Sequence, residues 1–362
     1  MAWTSGYERA YLAEWAARRV GFRVLSTDLV KGIPRLLVEP PPDLKKAFEE
    51  LVLLLRPYDV VPMLRKGREG LVLVVRGFRP GKARSNLIPL GLFIATFASI
   101  FAAGWFLSLR WPEGPFWGAL MFTGAMFAVL ATHEMGHWIA ARLHGVSVTL
   151  PHFIPAPPPI SFLGTFGAFI QQRTPAPNKD ALFDIGVAGP LAGFVAAMAI
   201  TLVGLPFSRV MVGPVEGVSL PPIFVFNVMV MLVLSPPPET TGIGLHPVAF
   251  AGWIGMFVTM LNLIPAGSLD GGHIARCVLR EDAHRALGVL GVMAVLLRAV
   301  LSRPEHRPWF IPMAVLAMFM ALFYRHPGPL DDVSELSRAR KAVLVLPAAI
   351  FVLCLAPIPL PR

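Results

Sequence analysis

The stretch Met126-Phe127-Ala128-Val129-Leu130-Ala131-Thr132-His133-Glu134-Met135-Gly136-His137-Trp138-Ile139-Ala140-Ala141 sits inside an apolar run, Pro115 to Leu143, long enough to cross a bilayer. Two imidazoles four residues apart share one helix face, and Glu134 lies within a turn of both. That layout suits metal binding coupled to proton transfer, as in a zinc hydrolase.

Composition agrees with a membrane setting. The 362 residues are 55% hydrophobic and only 15% charged, with mean hydropathy +0.63, far more apolar than a soluble globular chain. The net charge is +10, and sixteen Lys and Arg against nine Asp and Glu fall within residues 1–86, beside the first apolar run. Positive-inside topology and contact with anionic lipid account for this excess. No basic run is interleaved with aromatics, so nucleic acid is not an expected partner. Cys277 and Cys354 have no metal-type spacing and read as packing residues. The first residues lack the pattern of a secretory signal peptide.

Residues 1–86 read as a small cytoplasmic α/β domain. It has an amphipathic helix around Tyr7 to Arg19, strands near Arg35 to Val38 and Gly70 to Val75, and a helix from Asp43 to Leu55. Asp43 is the expected N-cap, and Pro40 to Pro42 exclude helix before it. Residues 87–362 read as a membrane-embedded domain with its catalytic core in 87–280. Leu87 to Leu109 form a first span, preceded by Arg79, Lys82 and Arg84, and Arg110 to Gly114 an external turn before Pro115 to Leu143 return. Further spans are expected at Ala181 to Pro206, His246 to Ile264, Ala283 to Leu301, Trp309 to Tyr324 and Ala342 to Leu355, giving about seven. The Ile223 to Leu234 piece is short for a crossing. The fold class is therefore a multi-pass α-helical membrane protein with a small soluble α/β domain.

Val148 to Gln172 cannot be an ordinary spanning helix, because Pro151, Pro155, Pro157, Pro158 and Pro159 remove donors and restrict the chain. Phe162 to Ile170 is strand-like and apolar. The segment reads as a re-entrant Pro/Gly-rich loop or hairpin beside the site, or as an interfacial loop resting on lipid. In the third span, Gly186, Gly189 and Gly193 permit close helix approach, Pro190 is a candidate kink, and Asp184 suits an interfacial helix start.

Catalytic zinc takes three protein ligands and leaves a fourth position for water. His133 and His137 supply two, and Asp270, in the Pro/Gly context Ile264-Pro265-Ala266-Gly267-Ser268-Leu269-Asp270-Gly271-Gly272, is the best third. The same Asp270 would also serve as a cap for a helix from Gly271 to Leu279. His144, His152, His246 and His273 are weaker alternatives, each near an expected helix end or loop. Glu134 would take a proton from the water and deliver it to a leaving amine. Asn262 either donates to the oxyanion or joins two spans by a hydrogen bond.

The chain resembles the site-2 protease family of intramembrane zinc metalloproteases, especially its archaeal, bacterial and chloroplast-type branches. The resemblance rests on His133-Glu134-Met135-Gly136-His137, on Phe183-Asp184-Ile185-Gly186-Val187-Ala188-Gly189-Pro190-Leu191-Ala192-Gly193, and on Asn262 through Gly272. It implies one Zn2+ per chain held by His133, His137 and Asp270, with Glu134 catalytic and Asn262 on the family's Asn position. Many members carry Asn where this chain has Gly193. The implied reaction is cleavage of transmembrane segments of other proteins within the lipid bilayer. The implied setting is a prokaryotic cell membrane. No PDZ-like insert is seen, and nothing in the sequence specifies an oligomeric state.

A helical substrate hides its peptide bonds in an intact hydrogen-bond ladder, so it must unwind before attack. An extended substrate could then pair with the Phe162 to Ile170 edge. Two other classes compete: a membrane metal transporter, which needs no Glu134 and expects more ligands along a pore, and a metal-binding scaffold without turnover.

Overall fold

The computed structural model describes residues 5–78, 87–213, 218–324 and 326–355. Arg79, Lys82 and Arg84, read above as flanking the first span, lie outside them.

Helix α1, Gly6–Arg19, starts at a capping box in which the Ser5 hydroxyl accepts from the Glu8 amide and the Glu8 carboxylate accepts from the Ser5 amide. The chain then forms β1, Arg23–Val30, and β2, Ile33–Glu39. Next comes α2, Leu44–Leu55, capped as expected by Asp43, whose carboxylate accepts from the Lys46 amide at 3.1 Å. Strands β3, Val60–Lys66, and β4, Leu71–Gly77, complete an antiparallel sheet of order β1-β2-β4-β3. Two of these strands match the sequence reading, and β1 and β3 are additions to it. Leu36, Phe48, Leu51, Leu55, Leu64 and Leu73 are fully buried between sheet and helices.

This core contains one late arrival. Leu330 is buried among the same residues, and its carbonyl accepts from the Leu64 amide at 2.9 Å, while the Asp332 amide donates back to Leu64 at 3.3 Å. The outer edge of β3 is thus paired by a parallel bridge from a segment 267 positions later, Leu64 to Asp331 lying opposite one another. The Arg65 guanidinium reinforces it by donating to the Leu330 carbonyl at 2.7 Å.

The membrane core begins with α3, Leu87–Leu107, and α4, Gly114–Leu143. At 30 residues, α4 is about 45 Å long, well beyond the hydrocarbon thickness. The proline-rich segment forms an antiparallel hairpin of β5, His152–Ala156, and β6, Gly164–Phe169. Its register shifts between Phe153 and Pro155, and the Thr165 hydroxyl donates to the Ile154 carbonyl at 2.8 Å. A two-stranded edge tolerates Pro155 because its partner strand lies on one side only.

Helix α5, Lys179–Gly204, is capped by Asn178, whose side-chain oxygen accepts from the Ala181 amide at 2.8 Å. A small sheet of β7, Arg209–Met211, and β8, Gly242–Gly244, brackets α6, Phe224–Leu234. Helix α7, Pro247–Asn262, is buried on nearly all sides and packs against α4 and α5. An all-round apolar helix requires such enclosure. Trp253 stacks between Phe250 and Phe257 and meets Trp309 edge-on at 4.9 Å. The chain ends with α8, Asp270–Val278, α9, Glu281–Leu301, α10, Arg307–Phe323, α11, Arg338–Val343, and α12, Val345–Leu355.

Among the described residues, five helices are long and apolar enough to cross a membrane, at 87–107, 114–143, 179–207, 281–301 and 304–323. The protein is an integral membrane protein on that evidence. Helices α6 and α7 are shorter apolar helices.

Candidate metal centre

Helices α4 and α5 approach each other through missing side chains. A Cβ at Gly136 would lie 2.5 Å from the Ala188 carbonyl oxygen, and one at Gly189 would lie 2.1 Å from His137 Nε2. One at Gly193 would come within 2.8 Å of His133 Nδ1. The small-residue spacing in the third span therefore makes room for the two imidazoles as well as for the helix. Gly193 contributes space for the His133 ring.

Both histidines are buried, His133 at 7% and His137 at 6% exposure. The loop after α7 turns the chain back so that α8 opens with Asp270 against them. His133 Nε2 lies 3.2 Å from one Asp270 carboxylate oxygen and His137 Nε2 3.2 Å from the other. The two Nε2 atoms are 3.1 Å apart. Nε2 cannot be protonated on both rings and still face one another at this distance without a third party. A tetrahedral zinc site with bonds of about 2.0 Å has ligand-to-ligand edges of about 3.3 Å. The three contacts match that edge, and nitrogen with carboxylate oxygen is a donor set zinc accepts. Among the described residues, His133, His137 and Asp270 are the group with metal-ligand spacing.

The surroundings fix the donors. His137 Nδ1–H donates to the Ile185 carbonyl at 2.6 Å, which leaves the Nε2 lone pair pointing into the cluster. Glu134 is buried at 5% exposure, stands outside the three-ligand group, and has an Oε2 without a hydrogen-bond partner. The Ile170 backbone amide, just past β6, approaches the same carboxylate, so the hairpin ends at the centre. Asn262 Nδ2 lies 3.5 Å from His133 Nε2. All five residues expected from the sequence are therefore brought together.

The four weaker candidates are engaged elsewhere. His144 Nε2 meets Asp184 at 2.7 Å, His246 Nε2 meets Glu113 at 2.5 Å, and His152 Nδ1 is 3.5 Å from the Thr149 hydroxyl. His273 Nδ1 accepts from His326 Nε2–H at 2.5 Å, a direction fixed because His326 Nδ1 accepts from the Gly328 amide at 2.9 Å. Burial first, then the fields of His273, His284 and Arg276, push the His326 imidazole down to about 2.

The sequence reading missed two supports. The Ile185 carbonyl is a backbone atom, invisible to residue type. Asp184, read as an interfacial helix start, instead holds a bidentate pair with Arg340, at 2.7 and 2.5 Å, besides His144. One turn earlier, Asp180 meets Lys45 of α2 and Arg340. The start of α5 is thus tied both to residues 5–78 and to α11.

Residues 121–298 match the model of Peptidase family M50. The match covers just under half of the chain, runs from within α4 into α9 and holds the whole centre. A protein named "Probable zinc metalloprotease EGY1, chloroplastic" from Oryza sativa subsp. japonica is 32% identical over 249 residues, 66% of this chain and 41% of the relative. Its namesake in Arabidopsis thaliana is 29% identical over 248 residues, 66% and 43% of the two chains. "Probable zinc metalloprotease EGY2, chloroplastic" of Oryza sativa subsp. indica is 27% identical over 238 residues, 56% and 42%. The chain spans about two fifths of the length of these curated relatives. No solved structure matches it.

Proposed function

We propose that this chain is an intramembrane zinc metalloprotease that hydrolyses peptide bonds within transmembrane segments of other membrane proteins. The observation that carries the reading is the convergence of His133, His137 and Asp270 at 3.1 to 3.2 Å beside a buried Glu134 oxygen that has no partner. A partnerless buried carboxylate oxygen costs stability unless a function retains it.

Zinc held by those three residues supplies polarisation of the scissile carbonyl and an acidified water. Glu134 is the base that takes the proton from water and, once protonated, the acid that hands it to the leaving amine. Asn262 reaches the same space from α7 and donates its amide N–H to the developing oxyanion. The Ile185 carbonyl keeps His137 in the tautomer that binds metal.

Substrate enters as an extended strand. The hairpin presents a β6 edge whose end lies at Glu134, and backbone pairing there satisfies the donors and acceptors exposed when a substrate helix unwinds. Substrate helices with Gly, Pro or Asn near the cut are therefore favoured. In this reading the hairpin is re-entrant, α7 and the α11–α12 region join the five long helices to give seven passages, and residues 1–86 form a cytoplasmic domain beside a protease domain at 87–362 with its core in 87–280. The curated relatives carry chloroplast names and lend no support to a prokaryotic cell membrane, so the placement retained is an integral membrane.

The test is purified full chain in detergent with a panel of transmembrane substrates, with and without chelator. Cleavage that stops on demetallation and returns with zinc supports the reading. Cleavage that persists without metal, or in Glu134→Gln, rejects it.

A further inference from the structure

Of the three candidate metal ligands α4 carries two, and the place of the third, Asp270, depends on what holds α8. That helix has nine residues and follows Leu269, whose apolar side chain cannot cap the exposed amides at its start. Gly271 and Gly272 lie flush against the loop after α7: a Cβ on them would fall 2.1 Å from the Leu263 carbonyl oxygen and 2.4 Å from that of Gly267. Such contacts limit how near α8 comes. Its rotation about its own axis is left to directional bonds.

Those bonds come from residues 326–332. Arg276, 6% exposed, meets Asp332 with its planar fork, Nη1 donating to one carboxylate oxygen at 2.9 Å and Nη2 to the other at 2.6 Å, a geometry that fixes orientation as well as distance. Nη1 also donates to the Leu279 carbonyl at 3.2 Å, which closes the end of α8. One turn earlier, His326 Nε2–H donates to His273 Nδ1. Gly328 packs against the same guanidinium: a Cβ there would stand 2.9 Å from Nη2, and its φ of +71° suits glycine.

The same short segment is anchored on two other elements. Leu330 is buried in the N-terminal core and paired with Leu64. Its amide donates to the Ala176 carbonyl, and the Asp331 amide to the Pro177 carbonyl, each at 2.9 Å, immediately before the Asn178 cap of α5. Residues 326–332 thus join the N-terminal sheet, the start of α5 and α8. Each of those two helices supports the metal cluster from its own side, α5 through the Ile185 carbonyl on His137 and α8 through Asp270.

Building on the metal-centre reading above, we propose that Arg276 is a positioning residue for the ligand Asp270, and that residues 326–332, seated on the N-terminal sheet, hold α8 at the rotation where one carboxylate spans both imidazoles. Arg276 lies six positions along α8 from Asp270, about 9 Å along the axis, so it acts through the helix. A ligand constellation has to be held to within about 0.5 Å and 10 to 20°. A small turn of α8 therefore takes the carboxylate off the metal, and the fork on Asp332 is what resists that turn.

The test uses the purified full chain in detergent, with zinc itself as the probe against graded chelator. Arg276→Lys keeps the charge and loses the fork, and zinc affinity is expected to fall about 10- to 100-fold. Arg298→Lys is the matched control. Arg298 is also 6% exposed, on α9, and donates to the Ser302 hydroxyl and the Leu355 carbonyl, so the same exchange there is expected to lower the thermal midpoint of the metal-free protein and leave zinc affinity unchanged. Cobalt in place of zinc reports coordination geometry through its visible spectrum, which is expected to change in Arg276→Lys and not in Arg298→Lys. If Arg276→Lys does not fold, Asp332→Asn weakens the pair from the other side, with the same loss of affinity expected. Equal affinity losses at positions 276 and 298, or wild-type affinity in Arg276→Lys or Asp332→Asn, overturn the positioning role. Wild-type protein that takes up no zinc rejects the metal centre itself, whereas tight zinc binding that survives these substitutions rejects the role of Arg276 alone.

Discussion

His137 donates its Nδ1–H to the carbonyl of Ile185 across 2.6 Å, from α4 to α5. This one contact commits the imidazole to a single tautomer and sets how closely the two helices must pack. Metal affinity is therefore linked to the α4–α5 distance, and that distance rests on Gly136 and Gly189.

Gly189→Ala places a methyl group 2.1 Å from His137 Nε2. It is expected to lower zinc affinity about 10- to 100-fold, the range seen when support of a metal-binding His is lost. Zinc content after dialysis against graded chelator measures it. Gly91→Ala, with open space around its Cβ, should leave the titration unchanged.

Glu134→Gln preserves size and removes the base. Activity is expected to fall by about 10²- to 10⁴-fold with stoichiometric zinc retained. Asp270→Asn, in contrast, should lose both. Metal analysis of the two variants side by side distinguishes proton transfer from ligation.

For Asn262, the two roles read from the sequence predict different parameters. As an oxyanion donor, Asn262→Ala lowers kcat by about 10² to 10³ with little change in KM. A residue that only joined α7 to α4 would instead lower the thermal midpoint and leave kcat of the surviving enzyme intact. Asn262 Nδ2 lies 3.5 Å from His133 Nε2, a position from which it can serve in either role.

Leu330→Ala empties a site in the core of the N-terminal sheet, and a cost of about 2 to 4 kcal/mol is expected from a buried leucine truncation. The loss should appear locally. Hydrogen exchange at the Leu64 amide, which donates to Leu330, will accelerate, while exchange in α7 will not.

Acid should weaken the packing around His326. Its folded-state imidazole titrates at about 2, whereas an unfolded histidine titrates near 6.5. Below about pH 6.5 the unfolded chain takes up a proton that the folded site refuses, so this contribution is intact above that pH and is lost progressively as pH falls toward 2, by at most about 1.4 kcal/mol per unit. Thermal midpoints between pH 7 and 4 should fall less steeply in His326→Asn than in wild type.

The legible parts of this protein are those where one residue type has one physical use. His133 and His137 share a helix face with Glu134 within a turn of both, Asp43 caps α2, and the glycines of α5 mark a close approach; each was read from residue type and spacing. Asp270 came from the cost of a carboxylate in a helix-breaking context. Strand β1 was not legible because most of its residues are exposed and its apolar positions do not alternate. Strand β3 follows a turn and contains Pro62, and β5 contains Pro155, so both resembled loops; each proline sits opposite one paired residue, Val75 and Thr165, on one side of its strand, where proline is tolerated. The Ile185 carbonyl and the Leu330 pairing could not be seen in composition or period, because one is a backbone atom and the other joins positions 266 apart.

That pairing gives the protein a built-in order of assembly. Synthesis delivers β3 long before Leu330, and all five long apolar helices must emerge in between. Until they have been threaded and the later segment returns, the sheet keeps an open flank with unsatisfied amides and carbonyls, the kind of edge that recruits stray strands. Closure of a loop this long is slow but adds little entropy beyond that of a shorter one. The N-terminal sheet therefore reaches its final form only after the five long apolar helices have been made, and a molecule with a misplaced helix is left with that edge open.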